Sequence, residues 1–189
     1  MPKFDPQSPK SFAVRQDRAI SDETWLRNFL RTAPFCAVAT SVNDQPFLSN
    51  NTFVYDETTN VIFMHTAYAG RFRHNLEQNP RICFTVARMG RLLPSKTALG
   101  FSNEYESVVV FGKVEILKSQ EDARFALQKL LNKYFPHLKP GEDYHHITEK
   151  ELAVVTVYRI TIEEWSGKKK EVEPDFPGAF LYGQNGTGI

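Results

Sequence analysis

The feature that most limits the fold is a series of short β-prone runs joined by turns too short to hold a helix. Runs at 35–42, 47–55 and 61–64 are apolar or β-branched, and only the polar turns 43–46 and 56–60 separate them. Strands joined by such short connections pair antiparallel, because a parallel crossover needs about a dozen residues or more. This part of the chain therefore predicts consecutive hairpins rather than a parallel βαβ sheet.

Further strands and helices are predicted along the rest of the chain. The additional strands are rich in β-branched residues and fall at 81–87, 105–117 and 152–162. Helical spacing of apolar residues predicts helices at 22–32, 70–78 and 119–134. The pattern predicts a β-rich α+β fold with three or four helices, namely a six-stranded, mostly antiparallel β-barrel with flanking helices.

The length of 189 residues fits a single domain. Residues 1–20 are predicted as an irregular N-terminal arm, 21–165 as the barrel, and 166–189 as a C-terminal tail rich in glycine, proline and lysine. Residues 88–104 are predicted as a long loop, and loops of that length in compact domains usually serve a function.

Charge and hydropathy exclude several classes of partner. The formal net charge of +1 provides no overall basic field for nucleic acid. No apolar run approaches the roughly 18 residues of a membrane-spanning helix, and the N-terminus has no apolar signal-peptide core. We expect a cytoplasmic protein without nucleic-acid or membrane partners. We also expect no metal site, since the adjacent His145 and His146 lack the spacing of metal ligands.

A phosphate-binding segment is predicted where the third strand ends and a helix begins. Thr66 stands at the strand end, Gly70 precedes the helix, and Arg71 and Arg73 lie in its first turn. Helix N-termini bind phosphates through free N–H groups, glycine permits close approach, and arginine provides a forked donor. The alternative is an ordinary strand-to-helix turn with solvated arginines. The chain has neither a G-x-G-x-x-G nor a Walker A motif, so a Rossmann or P-loop site is not indicated.

This segment resembles the phosphate-binding segment of the pyridoxamine-phosphate oxidases. The shared pattern comprises Thr66, Gly70, Arg71, Leu76, Asn79 and Pro80. In those enzymes the centre reads Ser-Arg-Lys. Here Gly70 replaces the serine and Phe72 replaces the lysine, which leaves Arg73 to supply the missing charge.

A closer resemblance is to flavin-binding proteins related to the nitroimidazole-resistance proteins, and it covers about residues 15–170. The motifs are H-T-x-x-x-G-R-x-R-x-N at 65–75, Y-x-S-V-x-V-F-G at 105–112, E-D-A-R at 121–124, F-P-x-L-K-x-G-E at 135–142 and W-S-G-K at 165–168. The resemblance implies a split β-barrel homodimer with FMN at the subunit interface.

The resemblance also implies roles for individual residues. Thr66, Gly70 and Arg71 would hold the FMN phosphate. His65 would lie beside the flavin as the catalytic proton donor. The residues expected to approach the flavin elsewhere are Asn51, Thr52 and Phe53 along the isoalloxazine ring, Tyr105 and Ser107 from another strand, and Trp165 and Lys168 from the C-terminal segment.

Several functions compete at this point. The first is an FMN-dependent reductase that acts on a small electron-poor substrate such as a 5-nitroimidazole. A non-catalytic flavin-binding protein is a second. A pyridoxamine-phosphate oxidase is disfavoured, because residues 165–168 read W-S-G-K where that enzyme has an R-x-H pattern. A haem-binding relative is a further alternative, whose candidate ligands are His65, His74, His145 and His146.

Overall fold

The computed structural model describes residues 7–11 and 15–184, and it consists of one antiparallel sheet with helices packed against it. The strands are β1 (Ala19–Ile20), β2 (Cys36–Val42), β3 (Gln45–Asn51), β4 (Val54–Asp56), β5 (Val61–Ala67), β6 (Arg81–Leu93), β7 (Ser102–Ile116) and β8 (Val155–Lys170). The helices are α1 (Glu23–Thr32), α2 (Arg71–Gln78), α3 (Gln120–Tyr134) and α4 (Glu149–Leu152), and there are 3-10 turns at Gln16–Arg18 and Ala98–Gly100.

The predicted fold class is confirmed, and the predicted number of strands is wrong. The sheet has eight strands in the order β3-β2-β6-β7-β8-β5-β4, with β1 paired to β8, and every pairing between named strands is antiparallel. The strand expected at 47–55 is divided into β3 and β4 by a break at Thr52 and Phe53. The second additional strand, β1, lies within the stretch expected to be an irregular arm. The remainder of that arm falls partly outside the described residues, at 1–6 and 12–14, as does the end of the tail at 185–189.

The three predicted helices are present, and their caps explain where two of them begin. The side chain of Asp22 accepts a hydrogen bond from the Thr24 N–H at the start of α1, and Ser119 accepts one from Asp122 N–H at the start of α3. Within the described residues no helix is long and apolar enough to cross a membrane. The cytoplasmic location stays a prediction.

The long loop expected at 88–104 is instead the end of a hairpin formed by β6 and β7. The register of the two strands shifts between Met89 and Leu92, and only a short connection joins Leu93 to Ser102. Arg91 holds this end together: its guanidinium pairs with both carboxylate oxygens of Glu104 at 2.7 and 2.9 Å. The same guanidinium donates to the carbonyl oxygens of Val172, Glu173 and Pro174, which fastens the start of the C-terminal tail to the hairpin.

The core lies between the sheet and helices α1 and α2. Its largest fully buried side chains are Tyr158, Phe53, Phe84, Leu30, Ile62, Met64 and Ile160. A smaller cluster joins α3 to β5 and β8 through Val61, Phe63, Ala123, Ala126 and Val157. This second cluster fixes α3 beside the end of β5, where the candidate site lies.

Candidate functional site

The site is built around the end of β5, which β8 holds in register. His65 pairs with Val157 and Thr66 with Thr156. The hydroxyl of Thr66 lies 2.9 Å from the hydroxyl of the fully buried Tyr158. This contact fixes the Thr66 side chain immediately before the turn that leads into α2.

The start of α2 is open to an anion. Gly70 is the N-cap residue with φ 153° and ψ 169°, a conformation that is essentially restricted to glycine. Among residues 7–11 and 15–184 no side chain caps the helix, and a Cβ placed on Gly70 would meet no atom of these residues within 4 Å. The first N–H groups of a helix have no intrahelical partner and carry partial positive charge. The geometry therefore fits a phosphate group in front of Gly70.

Arg71 and Arg73 differ in availability. Arg73 is bonded to Glu77 at 2.8 Å, to the Tyr68 carbonyl oxygen at 2.8 Å and to the Thr156 hydroxyl at 3.2 Å. The side chain of Arg71 is exposed, and within residues 7–11 and 15–184 it makes no hydrogen bond or ion pair. Its guanidinium lies 5.9 Å from the centre of the Phe47 ring.

Arg71 also faces an open cleft, whereas the charge of Arg73 is already balanced by Glu77. The cleft has a volume of about 420 Å³ and is lined by Val42, Gln45, Arg71, His74 and Asn75. Arg71 is thus the better cation for an anion at the helix start.

His65 is distinguished by an unsatisfied polar atom. In the described part of the chain its Nδ1 is the one buried side-chain nitrogen or oxygen without a hydrogen-bond partner. Burial lowers the pKa of His65, because desolvation disfavours the imidazolium form. The Asn51 side-chain amide donates to the His65 carbonyl oxygen at 2.5 Å, which ties β3 to β5 at this point. A buried polar atom without a partner is costly and points to a ligand that completes it.

An apolar pocket of about 330 Å³ lies beside His65. One wall is formed by α3 and the residues that follow it, and the other by the ends of strands. The lining residues are Thr52, His65, Leu127, Leu130, Leu131, Tyr134, Phe135, Ile147, Glu151 and Val155. A mostly apolar cavity with a small number of polar side chains is the usual form of a small-molecule site.

The break between β3 and β4 is held from the end of α3. The Tyr134 hydroxyl accepts from the Phe53 N–H at 3.1 Å and lies 3.0 Å from the Phe53 carbonyl oxygen, and Lys133 Nζ donates to that oxygen at 2.9 Å. The Thr52 N–H is bonded to the Asn51 side-chain oxygen. These backbone groups, expected to approach a flavin, are therefore already paired within the chain.

Lys133 and Tyr134 did not emerge as site residues from the sequence. Tyr134 belongs to the apolar stripe of α3, and a tyrosine in such a stripe carries a hydroxyl that needs a partner. The need of that hydroxyl for a partner is the sequence signal that could have identified Tyr134. No sequence signal identifies Lys133, whose burial in the fold lowers its pKa to about 8.

The remaining predicted residues lie elsewhere in the chain. Ser107 pairs with Lys168 between β7 and β8. The ring of Tyr105 lies 5.8 Å from the Arg18 guanidinium. Trp165 packs against the core beneath Arg27, 5.2 Å from that guanidinium.

These residues are not brought together with His65 in one chain. On β8, Val157 is the pairing partner of His65 and Lys168 is the pairing partner of Ser107. Because β8 is extended between Val157 and Lys168, His65 and Ser107 are separated by about 35 Å along this strand. Of the four histidines considered as haem ligands, His74, His145 and His146 are exposed, and only His65 is substantially buried.

Comparisons with known proteins identify the family and the fold of the chain. The family model for pyridoxamine 5′-phosphate oxidase matches residues 22–169. No curated protein matches the chain. The flavocytochrome Anf3 of Azotobacter vinelandii has a TM-score of 0.75 and 22% identity, over 87% of this chain and 75% of that one.

Two further solved structures share the fold. A FAD and heme binding protein of Mycobacterium smegmatis has a TM-score of 0.74 and 21% identity, over 84% of this chain and 76% of that one. A protein named for 5-nitroimidazole antibiotic resistance, from Bacteroides thetaiotaomicron, has a TM-score of 0.65 and 20% identity, over 81% of this chain and 90% of that one. At these identities the likeness establishes the fold.

Proposed function

The chain belongs to the pyridoxamine 5′-phosphate oxidase family, and from that premise we propose that it is an FMN-dependent reductase of small, electron-poor compounds. The family is one of flavin-binding split barrels, so the resemblance found in the sequence is confirmed at that level. The observation that carries the finer proposal is the buried Nδ1 of His65, which has no partner among the described residues. His65 lines an apolar pocket and lies near the end of β5, which leads into the uncapped start of α2 at Gly70. We call this helix start, with Gly70 and Arg71, the anion seat.

The choice of FMN is supported by the size of the anion seat. The seat offers the start of one helix, the open side of Gly70 and the unpaired guanidinium of Arg71. These groups suffice for a terminal monophosphate, whereas a diphosphate is usually held by a longer glycine-rich turn.

We expect flavin released from the purified protein by heat to migrate as FMN. The measurement is chromatography of the supernatant against FMN and FAD standards. FAD is the main alternative, because three of the similar structures are named for FAD. Release of FAD at one equivalent per chain would contradict the FMN assignment and leave flavin binding intact.

In the proposed reduction, different residues of the protein would have different roles. Bound FMN would supply the redox chemistry, as cofactors do in general. Gly70 and Arg71 would bind and orient the phosphate. His65 Nδ1 is the atom that would hold or deliver a proton, and the Asn51 amide keeps the His65 backbone in place. The leucines of α3 would exclude water from the acceptor.

The first test of the proposal uses the wild-type protein alone. Dithionite-reduced protein mixed with a 5-nitroimidazole under nitrogen should be reoxidised faster than free reduced FMN. If the two rates are equal, the reductase proposal fails, and a non-catalytic flavin-binding protein becomes the better account.

We propose that the protein is a homodimer with FMN at the subunit interface. The supporting observation is the separation along β8, since Ser107 and Lys168 can approach a flavin at His65 only from another chain. The connection of the β6–β7 hairpin also exposes Leu99 and Phe101, which are 99% and 61% accessible. Obligate interfaces resemble a divided core and often exceed about 2,000 Å².

We expect light scattering to give the mass of two chains at micromolar concentration. The physical reason is that a lone chain would leave both the apolar hairpin and an incomplete flavin site in water. A flavin-loaded monomer under these conditions would contradict the interface site.

Haem binding is a second candidate, favoured by the same His65. A neutral imidazole is the form that ligates iron, and burial lowers the pKa of His65. Two similar structures are a flavocytochrome and a FAD and heme binding protein. A Soret band in the purified protein would support haem, whereas flavin bands alone would support the first proposal.

Oxidation of pyridoxamine phosphate is not favoured by the pocket. Among the described residues its lining contains no arginine or lysine, and Glu151 is its one carboxylate. A phosphorylated substrate would therefore have no cation to pair with there.

A further inference from the structure

We propose that the pocket beside His65 binds the electron acceptor and selects neutral, largely apolar molecules while rejecting anionic ones. This inference rests on the proposed function, because it names the substrate class of that site. It is argued from the charge, the free hydrogen-bonding atom and the apolar wall of the pocket.

The charge of the pocket excludes anions. In the part of the chain that the structure describes, Glu151 is the one ionisable side chain of the lining apart from His65 and Tyr134. Lys133, next to Tyr134, is directed away, because its ammonium donates to the carbonyl oxygens of Ala33 and Phe53 at 2.7 and 2.9 Å. A carboxylate or phosphate in this pocket would lose its hydration without gaining a cation, which is strongly unfavourable.

The hydrogen-bonding capacity of the pocket is small. His65 Nδ1 is buried and has no partner within the described residues. The Tyr134 hydroxyl, by contrast, is engaged with the backbone of Pro34 and Phe53. A nitro or carbonyl oxygen would satisfy the imidazole, and Thr52 adds one further uncharged polar side chain to the lining.

The rest of the lining is an apolar wall on α3. Leu127, Leu130 and Leu131 occupy one side of the helix at three- and four-residue spacing, and Phe135 follows its end. Leu130 is buried and Leu131 is half-buried. The volume of about 330 Å³ is at the small end of ligand pockets, which suits a single substituted ring.

The test compares two ligands of similar size and different charge, 4-nitrotoluene and 4-nitrobenzoate. Binding to the oxidised, flavin-loaded protein is measured by calorimetry without an electron donor. We expect 4-nitrotoluene to bind at least about tenfold more tightly, a difference of about 1.4 kcal/mol. Equal affinities, or tighter binding of 4-nitrobenzoate, would overturn the inference.

Substitutions of Leu131 test whether the ligands bind in this pocket. Leu131→Lys places a cation in the wall and should weaken 4-nitrotoluene while strengthening 4-nitrobenzoate, each by about tenfold. Leu48→Lys introduces the same charge on β3 at a residue that is 58% accessible and outside the pocket lining, and it should change neither affinity. Leu131→Phe keeps the wall apolar and reduces the volume, so it should weaken 4-nitrotoluene without admitting 4-nitrobenzoate. Wild-type affinities in both Leu131 variants would overturn the inference.

The outcomes separate this inference from the proposed function. If the protein binds 4-nitrotoluene in a Leu131-dependent way but reduces no acceptor, the inference about the pocket stands and the reductase proposal fails. If the protein reduces 5-nitroimidazoles but shows no charge preference in binding, the reductase proposal stands and the inference about the pocket fails. A haem band that disappears in Leu131→Lys would assign the pocket to haem and overturn the inference.

Discussion

Replacement of His65 by alanine or glutamine is expected to slow reoxidation of the reduced protein by a 5-nitroimidazole about 10²- to 10⁴-fold while FMN stays bound. That range is typical for the loss of a general acid. The expectation rests on an imidazole whose Nδ1 is buried and unpartnered and which lines the apolar pocket. Stopped-flow absorbance under nitrogen measures the rate, and the flavin spectrum after gel filtration measures occupancy.

His137→Ala is the matched control. His137 is exposed and belongs neither to the lining of the apolar pocket nor to that of the cleft beside Arg71, so its loss should leave the rate unchanged. If the wild type reacts quickly and both His65 variants match it, the reductase activity survives and the proton-donor role of His65 is wrong.

The pH dependence of the same rate is a separate expected result. Burial lowers the pKa of His65 from its ordinary value of 6.5, so the imidazolium form is scarce near pH 7. If the imidazolium supplies the proton, the rate should rise as pH falls below about 6.5 and level off only below the lowered pKa. His65→Gln should remove this rise. A wild-type rate that falls with decreasing pH would contradict the assignment.

Replacement of Arg71 by alanine should weaken FMN binding about 10- to 150-fold. A hydrogen bond to a charged group is typically worth about 1.5–3 kcal/mol, and that range converts to this change in affinity. The reason for choosing Arg71 is its exposed guanidinium beside the open helix start. Titration of flavin-free protein with FMN, followed by flavin fluorescence, measures the affinity.

Arg73→Ala is the informative comparison for Arg71. Arg73 is bonded to Glu77, Tyr68 and Thr156, so its loss should lower thermal stability more than FMN affinity. Arg71→Lys should recover part of the affinity, because it restores the charge without the forked geometry. Unchanged affinity in Arg71→Ala together with a large loss in Arg73→Ala would reverse the assignment of the phosphate contact.

The sequence predicted the elements and residues that depend on local signals. The start of α3 follows from the Ser119 cap, and the start of α2 at Arg71 follows from the contiguous segment that includes Gly70. These features need only neighbours in the chain, which is why pattern and spacing sufficed.

The features that the sequence did not predict depend on distant contacts. The break between β3 and β4 is held by Tyr134, which is 81 residues from Phe53. The β6–β7 hairpin extends into 88–104, where Arg91 pairs with Glu104 and with the C-terminal tail. The residues at this end of the hairpin are mostly exposed or half-buried and lack the apolar alternation by which a strand is predicted from sequence. Trp165 packs under Arg27, which is distant in sequence, and no local motif predicts this contact.

The length of β8 has a genetic consequence. Because Val157 and Lys168 lie about 35 Å apart along the strand, a site that needs both Arg71 and Lys168 must take them from different chains. A hybrid that joins an Arg71→Ala chain to a Lys168→Ala chain would then concentrate both defects in one site. Its other site would be fully wild type. In a random mixture half of the dimers are hybrids, so co-expression of the two alleles should restore about a quarter of the wild-type binding sites.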